Sequence, residues 1–438
     1  MTLVAVIVLS TGCGQSPEQH RPRHVLLVSI DALRADHLGS WGSDHDTSPF
    51  LDELAARGIR FPLAFVNTHG TPPSHTTMLT SLYQETHRVG IPEETGDPPD
   101  LRLPEGVAAL QDILDDAGWT TVAVTGGGYM GGEFGFSRGF DIFDDTPRTV
   151  EQGTERLIVA LRQPLEDRRP VFALFHTYEV HSPYRSPEAY QGLFGPDTCA
   201  VEPDAEALVP IQADAKDRLT PQDFDCLAAL YDRGIRHTDD VLRVLFRDLD
   251  EIGFLDDALV VITADHGEEF GDHGGLLHRG SLFEELIHVP LIVWGAGVPG
   301  GKVDPSLAST IDIAPTILAW AGIDPPRSME GRDLLRPPPG DRPERVFSQY
   351  GTQLYSVRTP RWKLIAGGRW AHPMLFDLER DPDERHNVAA AEPDTVDRLI
   401  EELTRWRTDR PRVDVEPAPG AELQPATREQ LEALGYLE

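Results

Sequence analysis

Thr71 heads the stretch Thr71-Pro72-Pro73-Ser74-His75, and the helix-compatible residues Thr76-Thr77-Met78-Leu79-Thr80-Ser81-Leu82-Tyr83 follow. Prolines fit the first turn of a helix because their missing N–H groups would be unpaired there anyway. The free N–H groups and the positive dipole end of that turn would face an anion beside Thr71. A hydroxyl so placed is a candidate nucleophile for transfer of an anionic group. The same placement also suits a plain helix cap, a common role of threonine.

Two other segments end in carboxylates. One is Val25-Leu26-Leu27-Val28-Ser29-Ile30-Asp31, the other Leu259-Val260-Val261-Ile262-Thr263-Ala264-Asp265-His266-Gly267-Glu268. Each is an apolar, β-rich run that stops at an acid, the pattern of a buried parallel strand delivering a side chain at its C-terminal end. Ligands of open α/β sheets gather at that edge. Asp31, Asp265, His266 and Thr71 would then meet there. Two carboxylates, an imidazole and a hydroxyl suit one hard or borderline divalent cation, Ca, Mn or Zn. Taken singly, Asp31 also reads as a cap and Asp265-His266-Gly267 as a turn.

The elements needed to position these groups are legible. Runs such as Thr121-Val122-Ala123-Val124, Val171-Phe172-Ala173-Leu174-Phe175 and Leu291-Ile292-Val293-Trp294 alternate with helical segments to about residue 340. That alternation signals a mostly parallel sheet with helices on both faces. Residues 185–222 are acidic and Pro-rich and look like an insertion near the cleft. Arg336-Pro337-Pro338-Pro339-Gly340 reads as a linker. Beyond it, Arg345-Val346-Phe347-Ser348-Gln349-Tyr350 and Trp362-Lys363-Leu364-Ile365 read as antiparallel strands, followed by a helix around residues 396–403. Residues 413–426 look loose, and residues 428–437 read as a short helix with a glycine stop. The division is a signal and tether at 1–22, a catalytic domain at 23–340, a small subdomain at 341–412 and a tail at 413–438.

On these residues the chain resembles the sulfatase family of the alkaline-phosphatase superfamily. Besides Asp31 and Asp265-His266-Gly267-Glu268, the resemblance rests on Thr47-Ser48-Pro49-Phe50-Leu51-Asp52-Glu53-Leu54, Tyr231-Asp232-Arg233-Gly234-Ile235-Arg236-His237-Thr238-Asp239-Asp240 and His288-Val289-Pro290-Leu291. Asp312-Ile313-Ala314-Pro315-Thr316, Trp362-Lys363-Leu364-Ile365 and Leu375-Phe376-Asp377-Leu378-Glu379-Arg380-Asp381-Pro382 extend it, so that it spans residues 22–410. It implies an alkaline-phosphatase-like α/β fold: a mostly parallel sheet sandwiched by helices, with a small C-terminal α+β subdomain. It also implies hydrolysis of sulfuric or phosphoric esters.

The chain departs from the family pattern in its cations and its nucleophile. Where the family carries Cys or Ser followed by x-Pro-Ser-Arg, this chain has Thr71-Pro72-Pro73-Ser74-His75. The methyl group on the threonine Cβ prevents oxidation to an aldehyde, so a formylglycine cofactor is excluded chemically. The family arginine becomes His75. Its Gly-Lys-x-His stretch becomes Gly126-Gly127-Gly128-Tyr129, and a late lysine becomes His278. Phe175-His176-Thr177-Tyr178-Glu179-Val180-His181-Ser182-Pro183-Tyr184 matches the His-x-Pro-Tyr segment, which implies His181 near the leaving group; alone it also reads as a packed loop histidine.

The resemblance therefore implies catalytic roles for Thr71, His181 and His278, and substrate contacts from His75, Tyr129 and His181. The metal set, Asp31, Thr71, Asp265 and His266, is closer to the phosphoryl-transferring members of the superfamily. Losing the family's Lys and Arg favours singly charged esters. The substrate class is an anionic ester, such as a sulfated or phosphorylated glycan or lipid. Two alternatives stay open: a phosphodiesterase or phosphoryl-group transferase on the same site, and a metal-binding pseudoenzyme that binds anionic glycans.

Composition bounds the rest. The chain has 438 residues, 40% hydrophobic, with 39 basic against 72 acidic residues and a net charge of −33. Such a balance repels nucleic acid, so no nucleic-acid partner is expected. The apolar run Leu3-Val4-Ala5-Val6-Ile7-Val8-Leu9-Ser10-Thr11-Gly12-Cys13 is too short to span a bilayer. It reads as the end of a bacterial lipoprotein signal with Cys13 lipidated, although the basic n-region is missing. The expectation is an exported lipoprotein, periplasmic or outer-membrane-anchored. An export compartment permits a disulfide, and whether Cys199 and Cys226 pair stays open.

Overall fold

The computed structural model describes residues 24–92, 99–278, 280–337, 344–367, 372–410 and 423–437. Cys13 and its signal, part of the Pro-rich linker and most of residues 413–426 lie outside the described residues.

The β-branched runs become an eight-stranded sheet. In chain order its strands are β1 (His24–Ile30), β2 (Ile59–Arg60), β3 (Thr120–Val124), β4 (Ile142–Asp144), β5 (Val171–Thr177), β6 (Ala258–Thr263), β7 (Leu291–Gly295) and β8 (Lys302–Val303). They lie side by side as β8-β2-β7-β6-β1-β5-β3-β4. Five consecutive strands, β6, β1, β5, β3 and the edge strand β4, are parallel. β7 runs antiparallel to both β6 and β2, so the segment starting at Leu291 is the reversed strand of a mostly parallel sheet.

Both faces of this sheet are buried, as the continuous apolar runs require. Leu26, Val28, Ile30, Val260 and Ile262 enter one core, while Val25, Leu27, Leu259 and Val261 enter the other. The helices that flank the sheet include α1 (Pro49–Arg57), α2 (Thr71–Thr80), α3 (Val150–Glu166), α4 (Pro221–Glu251) and α5 (Ile313–Ala321). α1, α3 and α4 supply side chains to the first core; α2 and α5 supply the second. Among the described residues no helix is long and apolar enough to cross a membrane.

A second sheet follows the linker. Its strands, β9 (Val346–Tyr350), β10 (Leu354–Arg358), β11 (Trp362–Gly367) and β12 (Met374–Asp377), pair antiparallel in chain order. α6 (Pro393–Thr408) covers it, with Leu399, Leu403 and Trp406 against Val357, Leu364 and Leu375. The chain ends in α7 (Pro425–Ala433), which begins three residues before the helix read from the sequence. Cys199 and Cys226 are disulfide-bonded with Cα atoms 5.6 Å apart, tying the acidic insertion to α4.

Lys363 couples the small sheet to the main one. Its side chain has no solvent exposure, and Nζ lies 2.9 Å from Glu384 Oε1 and 3.0 Å from Glu284 Oε1. Glu284 opens the short helix Glu284–Ile287, whose carbonyls at Glu285 and Leu286 accept from the N–H groups of Glu268 and Gly267. Removing one member of a buried charge network strands the others and costs about 3–5 kcal/mol. Lys363→Met is expected to lose about that much stability in chemical denaturation, an effect far above the ±0.5 kcal/mol or so of surface substitutions.

Candidate active site

Three neighbouring strands end at one level. Ser29 of β1 pairs across to His176 of β5 and to Thr263 of β6, so Asp31, His176 and Asp265 emerge at the same sheet edge. Thr71 approaches from the second face as the first residue of α2. Gly70 precedes it with φ at 98°, a backbone state that glycine enters without steric cost. The N-cap of α2 is Gly70, so Thr71 is not the cap. Its Oγ1 instead donates to Asp31 Oδ2 at 3.2 Å. Thr71 is 1% exposed, and Asp31, Asp265 and His266 are wholly buried.

The donor atoms around Thr71 fit a cation. Asp31 Oδ1, Asp265 Oδ2 and His266 Nε2 are buried without a hydrogen-bond partner, although buried polar atoms are nearly always paired. His266 Nε2 lies 3.4 Å from Asp265 Oδ2 and 3.7 Å from Asp31 Oδ1. Among the described residues these three form the one cluster with metal-ligand spacing, its ligand atoms within 4.8 Å of one another. His266 Nδ1 donates to the Gly267 carbonyl at 2.9 Å, which leaves the Nε2 lone pair facing the carboxylates. Electrostatics agree. Burial, and then the Asp31 carboxylate, pushes Asp265 up. Burial opposes charge on His266, yet Asp265 and Asp31 outweigh it and raise its pKa. The point between these groups attracts positive charge.

The remaining expected residues divide into those that face Thr71 and those that do not. His181 and His278 lie together, ring centroids 4.9 Å apart, and His278 stacks on His266 at 4.4 Å. His278 Nδ1 is 2.9 Å from Glu268 Oε1, while His181 Nδ1 is 2.6 Å from the Ser182 carbonyl. His75 departs from the anion-facing role. Its Nδ1 is 2.8 Å from the Thr71 carbonyl and its Nε2 is 2.9 Å from Ser29 Oγ, so both ring nitrogens are engaged beneath the site. Burial lowers its pKa to about 4, so it is neutral at pH 7 and is no substitute for an arginine. Tyr129 sits at the margin, its ring 4.5 Å from that of Tyr436.

Two residues enter the site that the motifs did not point to. His176 Nε2 is 3.3 Å from Asp31 Oδ2, and burial lowers its pKa to about 4. It stands at the end of an apolar run, the same signal that marked Asp31 and Asp265. Tyr436, three residues past α7, brings its hydroxyl to 3.2 Å from Thr71 Oγ1 and 2.9 Å from His181 Nε2. No sequence spacing pointed to it.

Residues 23–323 match the family model for sulfatases, and residues 271–409 match the model of the N-sulphoglucosamine sulphohydrolase C-terminal region. The chain belongs to the sulfatase family. It is 25% identical to arylsulfatase K of Rattus norvegicus, over 92% of this chain and 82% of that protein. It is 26% identical to the multifunctional alkaline phosphatase superfamily protein PehA of Trinickia caryophylli, over 84% of this chain and 91% of that one. Its fold superposes on the phosphonate monoester hydrolase of Agrobacterium radiobacter with a TM-score of 0.71 at 23% identity, covering 89% of this chain and 96% of the other.

Sulfatases use a metal ion, and the donor set of this sulfatase fits one. Asp265→Asn is expected to lose bound metal by elemental analysis after dialysis, while the unaltered protein retains close to one equivalent. Chelation should lower the melting temperature, because a ligand held at 100 times its Kd stabilises the folded state by about 2.7 kcal/mol.

Proposed function

We propose that this sulfatase hydrolyses sulfuric or phosphoric esters with Thr71 as its nucleophile, and that Asp31, Asp265, His266 and Thr71 itself hold one divalent cation. The observation that carries this reading is the 3.2 Å contact of Thr71 Oγ1 with Asp31 Oδ2, beside three buried donor atoms that have no hydrogen-bond partner. When bound, the cation would supply Lewis-acid charge that acidifies the threonine hydroxyl, as metals acidify bound water. The bond from Thr71 Oγ1 to sulfur or phosphorus forms as the bond to the leaving oxygen breaks, and the hydroxyl proton passes to Asp31 Oδ2, which already accepts its hydrogen bond. Water then cleaves the resulting ester and regenerates the hydroxyl. No formylglycine takes part.

His278 is better suited than His181 to give the leaving oxygen its proton. The Glu268 carboxylate accepts from His278 Nδ1 and would stabilise an imidazolium, as the carboxylate of a Ser-His-Asp triad does. His181 has only the Ser182 carbonyl at Nδ1, and burial, with His278 beside it, holds its pKa down to about 4. His181 is accordingly the positioning partner of the pair.

The relatives support an anionic ester as substrate, since those named above include an arylsulfatase and a phosphonate monoester hydrolase. Sulfated or phosphorylated glycans and lipids are the natural classes. The Cys199–Cys226 bridge suits an oxidising compartment and so supports export, with Cys13 as lipid anchor to the cell envelope.

Thr71→Ala protein, assayed with Mn in excess so that the loss of one ligand does not limit occupancy, should lose on the order of 10³-fold or more of its turnover of p-nitrophenyl sulfate and bis-p-nitrophenyl phosphate. Undiminished turnover would remove Thr71 from the mechanism. A leaving-group series separates the histidines. Removing a proton donor slows alkyl esters far more than p-nitrophenyl esters, so the plot of rate against leaving-group pKa should steepen in His278→Ala and keep its slope in His181→Ala.

A further inference from the structure

The site is closed by the far end of the chain. α7 docks on the glycine-rich turn after β3, where Gln430 Oε1 accepts from Gly128 N at 2.8 Å and its Nε2 donates to the Gly126 carbonyl. That docking needs the glycines. A Cβ at Gly127 would stand 2.7 Å from Gln430 Oε1, and one at Gly128 would stand 3.3 Å from Leu434. Leu431 is wholly buried in the second core. Gly435, at φ 83°, then turns the chain inward, and a Cβ there would meet Ala205 Cβ at 2.9 Å. Tyr436 follows. Its ring rests on Tyr129, and its hydroxyl lies 3.2 Å from Thr71 Oγ1, 2.9 Å from His181 Nε2 and 3.5 Å from His278 Nε2. Together with His181, His278, Leu434 and Gly435, Tyr436 lines a pocket at this point.

We propose that Tyr436 is a substrate-contacting residue of the catalytic centre, whose phenolic O–H donates a hydrogen bond to an oxygen of the transferred sulfuryl or phosphoryl group. The proposal rests on Thr71 being the nucleophile. A reacting atom must come within about 3–3.5 Å of Thr71 Oγ1 to be attacked. The phenolic oxygen already stands at that range, between the nucleophile and the two histidines on the leaving-group side. An ester that enters replaces Thr71 and His181 as the phenol's partner, because a buried hydroxyl left without one is costly. An oxygen that gains negative charge in the transition state then meets a neutral donor held by a docked helix, the arrangement that stabilises an oxyanion most effectively. The neutral donor also explains how the centre works where His75 and Gly127 stand in place of cations. A donor supplied by the tail makes α7 part of the active site.

The test uses the full chain loaded with Mn. Tyr436→Phe removes the hydroxyl and keeps the ring and the helix dock. It is expected to lower kcat about 10²-fold, within the range seen when one oxyanion donor is removed, with KM changed only a few-fold and the melting temperature unchanged. Turnover equal to or above that of the unaltered protein would overturn the proposal and make Tyr436 a spacer or a plug. A second measurement is independent of the nucleophile. Orthovanadate is titrated by calorimetry into Thr71→Ala and into the Thr71→Ala/Tyr436→Phe double variant. About tenfold weaker binding in the double variant supports the contact, since tenfold is about 1.4 kcal/mol, one charge-assisted hydrogen bond. Equal affinity refutes it, whatever the activity of Thr71→Ala proves to be.

Discussion

Two carboxylates, Asp31 and Asp265, are held side by side with no access to water. Two like charges about 4 Å apart repel by about 4 kcal/mol at the effective dielectric of a protein site. Burial adds to this by disfavouring each charge separately, and Asp265 is pushed up accordingly. The fold leaves no other course. β1 and β6 are adjacent parallel strands, about 4.8 Å apart, and each ends in its acid. The sheet thus builds a point that attracts positive charge, and His266, which faces both carboxylates, has its pKa raised there.

Much of the surrounding structure serves to keep that arrangement in register. Arg34, three residues past Asp31, reaches the Glu268 carbonyl at 3.0 Å and holds Asp36 and Asp272 through its guanidinium. It ties the end of β1 to the loop that carries His266 and Glu268. Gly267 allows that loop to lie flat against the helix Glu284–Ile287, for a Cβ there would stand 1.9 Å from the Glu285 carbonyl oxygen. The same helix is gripped from the other side by Lys363 and Arg358 of the small sheet. The C-terminal subdomain therefore acts as a buttress for the loop of His266 and Glu268, which explains how residues remote from the site can bear on it.

The parts of this site that the sequence reveals are those written into local pattern. Asp31, Asp265 and His266 follow apolar runs that must be strands, and their convergence at one sheet edge follows from strand direction. His176 also follows an apolar run, but it lies within β5 (Val171–Thr177) instead of just beyond it, and so reads as one more strand residue. His75 carried an expectation from the position of a family arginine. The shorter imidazole cannot extend past the first turn of α2, and it settles between the Thr71 carbonyl and Ser29. The reversed β7 was hidden because a buried strand has the same composition in either direction. Tyr436 was illegible for a different reason. It meets Thr71 across 365 positions of chain, and the contact depends on how α7 docks on three glycines, a packing event with no periodicity to mark it.

The charge balance of the site bears on the kind of ester it can accept. His75, His176 and His181 all have pKa values of about 4, with burial the leading cause, so none brings positive charge at neutral pH. The hydrogen-bond partners of Thr71 Oγ1 are a carboxylate and a phenol. On the proposed reading, beyond a single cation the attraction for an anion would come from the α2 N-terminus and from neutral donors, which stabilise one negative charge far more cheaply than two. The protein as a whole carries −33, a field that opposes anions until screening over about 8 Å confines it. A dianionic ester would meet more repulsion at every stage of approach and find fewer fixed cations at its end. On the proposed reading, the neutrality of its histidines and tyrosines is the basis on which the site would favour a monoanionic group, a sulfate ester or a phosphodiester.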